Sequence, residues 1–186
     1  MTKVCQVCQV CIVMADGFEE IEAVTIIDVL RRAEIEVTVL GLESNRVMGA
    51  HGIALEAEGA LKEAPEVEWD LVVLPGGMPN ASHLRDSGPL RAFLTAQAAR
   101  GGRLGAICAA PMVLGAAGLL EGKKATCYPG FEEHLRGATP QEDRVVQDGL
   151  VFTSRGPGTA MDFALALVQE LSGAPEADRL RQQMLI

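Results

Sequence analysis

Hydrophobic positions along the chain switch between two spacings, and the switching lays out the elements. Val7 to Met14 is a near-continuous apolar run, the pattern of a strand covered on both faces in a parallel sheet. Glu19 to Ala33 carries Ile21, Val24, Ile27 and Leu30 at helical intervals and ends in Arg31 and Arg32, which suit the negative end of a helix dipole. Glu36 to Leu42 reads as a second strand and completes a βαβ unit, and Val47 to Glu56, punctuated by glycine, predicts a small hairpin. Further on, the pattern predicts strands over 70–74, 103–107 and 124–127, and two short strands within 144–154 around Gln147-Asp148-Gly149. Helices are expected over 89–100, from Ala109, briefly near Glu132, and over 159–172 and 175–185. Strand and helix alternate throughout, so the expected class is α/β with a largely parallel sheet.

Composition narrows this picture. The 186 residues suit one domain, and a chain that is 48% hydrophobic but only 4% aromatic must fill its core with aliphatic and alanine side chains. A net charge of -9 with no block of Lys or Arg argues against nucleic acid as a partner. No apolar run reaches the ~20 residues that span a bilayer, and the first residues make a poor secretory signal, so a cytoplasmic location is expected. Five cysteines, an odd number in a chain large enough to have a core, point to reduced thiols. Three of them, Cys5, Cys8 and Cys11, form the stretch CQVCQVC. In an extended strand Cys8 faces away from the other two, which lie about 20 Å apart, so they share no metal.

Ligands of parallel sheets meet the carboxyl ends of the strands, and four turns there stand out. In GAICAAP, Cys108 lies between strand and helix among small residues, with Pro111 in the helix's first turn. Unpaired amides and the helix dipole favour thiolate over thiol there, although a small buried hydrophobe also fits. In LPGGMPN, Gly76 and Gly77 let backbone amides approach a reacting oxygen, or simply make a βα turn. In ADGFEEIEAV, Glu22 sits among Ile21, Ala23 and Val24, surroundings that raise a carboxyl pKa. In SRGPGTAMDFALAL, Thr159 and Asp162 resemble a capping box, and Ser154 and Arg155 suit an anionic group.

Together, ADGFEEIEAV, VVLPGG, AICAAP and TSRGPGTAMDFAL resemble the ThiJ/PfpI superfamily, the DJ-one or parkinsonism-associated deglycase family, most closely its small single-domain branch. The resemblance implies a flavodoxin-like three-layer sandwich and a homodimer, with residues 1–6 a short extension into the first strand. It implies that Cys108 is a nucleophilic, oxidation-sensitive cysteine, that Glu22 is a protonated glutamate touching it, and that the Gly77 and Ala109 amides form an oxyanion site. Ser154 and Arg32 match positions linked to an anion pocket. One departure is Tyr128, where several relatives place a histidine; His51 in the hairpin is another candidate to approach the site, directly or across a dimer.

Two functions follow from these residues. One is a cofactor-independent enzyme in which Cys108 attacks a reactive α-oxoaldehyde such as methylglyoxal, or an early glycation adduct, with Glu22 relaying the proton. The other is a redox sensor or stress-linked chaperone built on oxidation of Cys108. A peptidase ranks third because Tyr128 removes the obvious base, and nothing here specifies thiazole chemistry.

Overall fold

The computed structural model describes residues 8–186. Cys5 and the extension over 1–6 lie outside the described residues. In chain order the elements are β1 (Gln9–Met14), α1 (Glu20–Arg32), β2 (Glu36–Gly41), β3 (Arg46–Met48), β4 (Ala54–Glu56) and β5 (Gly59–Ala60). There follow β6 (Leu71–Leu74), α2 (Asn80–Asp86), α3 (Gly88–Ala99), β7 (Arg103–Ile107), α4 (Pro111–Ala116), β8 (Lys124–Ala125) and β9 (Thr139–Pro140). The last are β10 (Val145–Asp148), β11 (Val151–Ser154), α5 (Ala160–Ser172) and α6 (Ala174–Met184).

A seven-stranded sheet in the order β10-β11-β7-β6-β1-β2-β5 forms the centre, and every pair in it is parallel except β10 with β11. The period of two along each strand sorts the core into layers. Val10 and Ile12 of β1 pack with Ile26, Val29 and Phe163 on the α1, α5 and α6 side, whereas Cys11 and Val13 pack with Leu84, Leu94 and Leu114 on the α2, α3 and α4 side. Cys8 and Cys11 thus enter opposite layers, and both are buried. Helices on both faces of a mostly parallel sheet make this a flavodoxin-like sandwich.

The differences from the expected pattern are local. The segment expected as a strand over 124–127 forms only the two-residue β8, which pairs with β9 outside the main sheet. Helix α2 was not expected, because it follows directly on Gly-Gly-Met-Pro and has only Ala81 and Leu84 as buried apolar residues. The helix after Cys108 begins at Pro111, two residues later than expected, and is six residues long. Thr159 caps no amide of α5 with its side chain, and Asp162 pairs with Arg144 instead, so the expected capping box does not form.

Candidate active site

Cys108 occupies a sharp bend between β7 and α4. Its φ is +64°, the left-handed region that ordinary side chains rarely adopt, and its backbone is pinned on both sides. Its N–H donates to the Ser154 carbonyl at 2.9 Å, and its own carbonyl accepts from the Tyr128 N–H at 2.8 Å. This is the geometry of a nucleophile elbow, which presents the side chain at the strand's carboxyl end.

Three other strand-end features converge on the thiol. Glu22, buried in the first turn of α1, accepts the Gly76 N–H on Oε2 at 2.8 Å. Its carboxyl also hydrogen-bonds the Cys108 thiol, and the thiol in turn meets the N–H groups of Gly77 and Ala109. Glycine is required at both 76 and 77. A β-carbon at Gly76 would stand 2.5 Å from Cys108 Cβ, and one at Gly77, where φ is +92°, would stand 2.4 Å from Glu19 N and Gly17 O. Asn80 clips this loop from beneath, donating Nδ2 to the carbonyls of Pro75 and Gly76 while its Oδ1 accepts from Ala15 N.

The electrostatics couple Glu22 to Cys108. Burial pushes the Glu22 carboxyl up to about 7, against the lowering effect of the Gly76 N–H and the Cys108 contact. Its Oε1 is buried with no N–H or O–H to accept among the described residues, an orphan that a proton on the carboxyl relieves. Burial and the Glu22 charge push the Cys108 thiol up to about 12, and the Gly77 and Ala109 amides oppose this only in part. The expected bias toward thiolate is therefore outweighed in the resting site: a six-residue helix and two amides do not offset the lost solvation and a carboxylate neighbour. The pair titrates as a unit, and between its two steps one proton is shared by carboxyl and sulfur.

The other candidates fall at different distances from this centre. Tyr128 stands beside it, 46% exposed, with its ring edge-on to Phe131 and close to Gly156. Ser154 is fully buried and its hydroxyl is committed inward, to the Arg144 carbonyl and Thr159 Oγ1 at 2.7 Å each, so it supports the elbow through its carbonyl and offers no hydroxyl to an anion. Arg155 turns to the Glu142 carbonyl. Arg32 lies in the last turn of α1, about 15 Å along the helix from Glu22, and pairs with Asp28, so this protomer does not bring it to Cys108. His51 contacts the site only through α1: its Nδ1 is 2.8 Å from Glu20 Oε2 and 3.9 Å from Glu19 Oε2.

Among the described residues, Glu19, Glu20 and His51 alone form a group with metal-type donors, all within 4.8 Å. Two of the three are already bonded to each other, which explains the cluster as an anchor for the hairpin. Sequence reasoning missed Asn80, whose only signal was an amide placed directly after LPGGMP.

Known proteins resemble this chain over nearly its whole length. Residues 8–170 match the profile of the DJ-1/PfpI family. Protein DJ-1 homolog B of Arabidopsis thaliana is 46% identical over 88% of this chain, which spans only 38% of that longer protein. The glutathione-independent glyoxalase DJR-1.2 of Caenorhabditis elegans is 34% identical, with 90% of each chain covered. The crystal structure of Drosophila melanogaster DJ-1beta superposes with a TM-score of 0.93 at 35% identity, covering 97% of this chain and 99% of that one. With the family profile, the identity to these relatives and the fold in agreement, the chain belongs to the DJ-1/PfpI family.

Proposed function

We propose that this chain converts α-oxoaldehydes such as methylglyoxal, or their early adducts with protein or nucleotide groups, to hydroxy acids without a cofactor, with Cys108 as nucleophile. The observation that carries the reading is the convergence of a thiol, a carboxyl titrating near neutrality and two backbone N–H groups at one strand end. The name of the C. elegans relative supports the substrate class.

In the proposed sequence, the Cys108 proton passes to Glu22 as sulfur attacks the aldehyde carbon, and the Gly77 and Ala109 amides hold the oxyanion. The oxyanion takes the proton back, giving a hemithioacetal and a Glu22 carboxylate. Glu22 then removes the proton from the former aldehyde carbon and delivers it to the neighbouring carbon, while the hemithioacetal hydroxyl proton passes to the ketone oxygen through the enediol, so one carbon is oxidised to a thioester and the ketone is reduced to an alcohol. Water cleaves the thioester, and the net change is addition of one water. Tyr128 borders the opening and takes no proton. The test is lactate formation from methylglyoxal followed by proton NMR. Turnover should vanish in Cys108→Ser and fall at least ~100-fold in Glu22→Gln, and wild type that forms no more lactate than Cys108→Ser defeats the reading.

Cys108 is also partly exposed, whereas Cys8, Cys11 and Cys127 are buried, which favours a redox sensor or chaperone as the second reading. Selective sulfinic acid formation at Cys108 under mild peroxide, without any lactate formation, would decide for it. A homodimer is part of the proposal: Ile21, Val24, Met48 and Ile53 expose 42–58% of their surface on α1 and the β3–β4 hairpin, and sedimentation tests it. Among the described residues no helix is long and apolar enough to cross a membrane. The free thiols suit a reducing compartment such as the cytoplasm.

A further inference from the structure

A cavity of about 620 Å³ lies apart from Cys108, at the carboxyl ends of β1 and β2, where parallel sheets receive ligands. None of the residues placed around the thiol lines it. Its volume falls within the ~300–1,000 Å³ typical of small-molecule sites. Ala15, Leu42, Val47 and Leu61 give it a buried apolar floor.

The rim carries charges of both signs. Arg46 from β3, Lys62 from the turn at Leu61–Glu63 and His83 from α2 all border the cavity. In a chain of net charge -9, the side chains of Arg46 and Lys62 donate no hydrogen bond and join no salt bridge among the described residues. The acids at the same rim are differently placed. Asp86 is neutralised by Arg85 through two bonds of 2.7 and 2.9 Å. Asp16 uses Oδ1 to accept the Met48 N–H at 2.8 Å and keeps Oδ2 for another donor, and Glu43 has no hydrogen-bond partner among the described residues.

We infer that this cavity binds a nucleoside monophosphate: base on the apolar floor, phosphate on Arg46, Lys62 and His83, and sugar hydroxyls donating to Asp16 or Glu43. Donors from three elements bordering one cavity suit the several oxygens of a phosphate. The carboxylates of Asp16 and Glu43 disfavour a bare anion and favour one that also carries hydroxyl donors. The apolar floor adds area that inorganic phosphate cannot use.

The test titrates the full-length chain with AMP, GMP, CMP and UMP, with adenosine and inorganic phosphate as controls, by calorimetry and amide NMR. At least one nucleotide should bind with a Kd below about 1 mM, with shifts centred on Leu42, Val47, Leu61 and Gly88. Adenosine and phosphate alone should each bind at least ~10-fold more weakly than that nucleotide, as should the nucleotide to Arg46→Ala/Lys62→Ala. Both side chains are exposed, so the double variant should keep the wild-type thermal midpoint, and Arg46→Lys should retain part of the affinity. Failure of all four nucleotides at about 10 mM, equal binding by the double variant, equal binding of phosphate alone, or shifts centred on Cys108 would each overturn the assignment.

Discussion

A β-carbon on Gly76 would stand 2.5 Å from the β-carbon of Cys108 and 2.7 Å from Glu22 Oε2. The backbone of β6's exit turn therefore fills the space between the Glu22 carboxyl and the Cys108 thiol, and its N–H orients the carboxyl. Gly76→Ala must push one of the two side chains aside. We expect a stability loss of about 1–3 kcal/mol by urea unfolding, as for overpacked cores, together with loss of methylglyoxal turnover. Wild-type stability in the variant would show that the turn relaxes freely and that the close approach does not matter.

Glu22 links this site to pH. Its folded pKa of about 7 lies above the unfolded value of 4.5, so between these values the native state binds the extra proton. Stability from this group is complete below pH 4.5 and is lost as pH rises through about 7, by an amount of order 3 kcal/mol. Glu22→Gln keeps an acceptor for the Gly76 N–H but cannot ionise. Thermal midpoints measured from pH 5 to pH 8 should fall more in wild type than in the variant. Parallel curves would place the Glu22 titration outside that window.

The parts legible in sequence were those set by local pattern. β1 and β7 were legible because strands buried on both faces read as apolar runs, and Cys108, Glu22 and Gly77 because strand-end turns of a parallel sheet converge wherever the strands are neighbours. What escaped depends on long-range packing. The Ser154 hydroxyl turns inward to Arg144, 10 residues away and brought beside it by the β10–β11 fold-back, and to Thr159, which the turn after β11 carries back over the strand end. Arg32 is a helix length from Glu22 within one protomer. The thiol's direction of shift was misjudged because dipole and amides are local features, whereas desolvation by the surrounding layers is not.

The left-handed backbone at Cys108 makes a prediction separable from chemistry. With φ at +64°, any residue with a β-carbon carries strain at this bend that glycine does not. Cys108→Gly should be about 1 kcal/mol more stable than Cys108→Ala in urea unfolding, a comparison in which both variants lack the thiol. In a relaxed position the order would reverse, because glycine loses more backbone entropy on folding.

His51 and Glu20 tie the β3–β4 hairpin to α1, two residues before Glu22. Hydrogen bonding to Glu20, with the charges of Glu19 and Glu20, raises the His51 pKa above 6.5. Burial would push Glu20 upward, but its bonds from the His51 ring and the backbone N–H groups of His51 and Ile53 hold it down at about 2. The two signs are opposite. The His51 contribution is full below 6.5 and is lost as pH rises through its folded value, while the Glu20 contribution is full above 4.5 and is lost as pH falls toward 2. The tie is thus strongest between 4.5 and 6.5. In an NMR titration the His51 ring should titrate above 6.5 in wild type and drop in Glu20→Gln, which keeps an oxygen for the two backbone donors. Glu20→Ala should in addition speed hydrogen exchange at the His51 and Ile53 amides, because it removes their acceptor. An unchanged His51 midpoint in Glu20→Gln would mean that the ring is held by Glu19 instead.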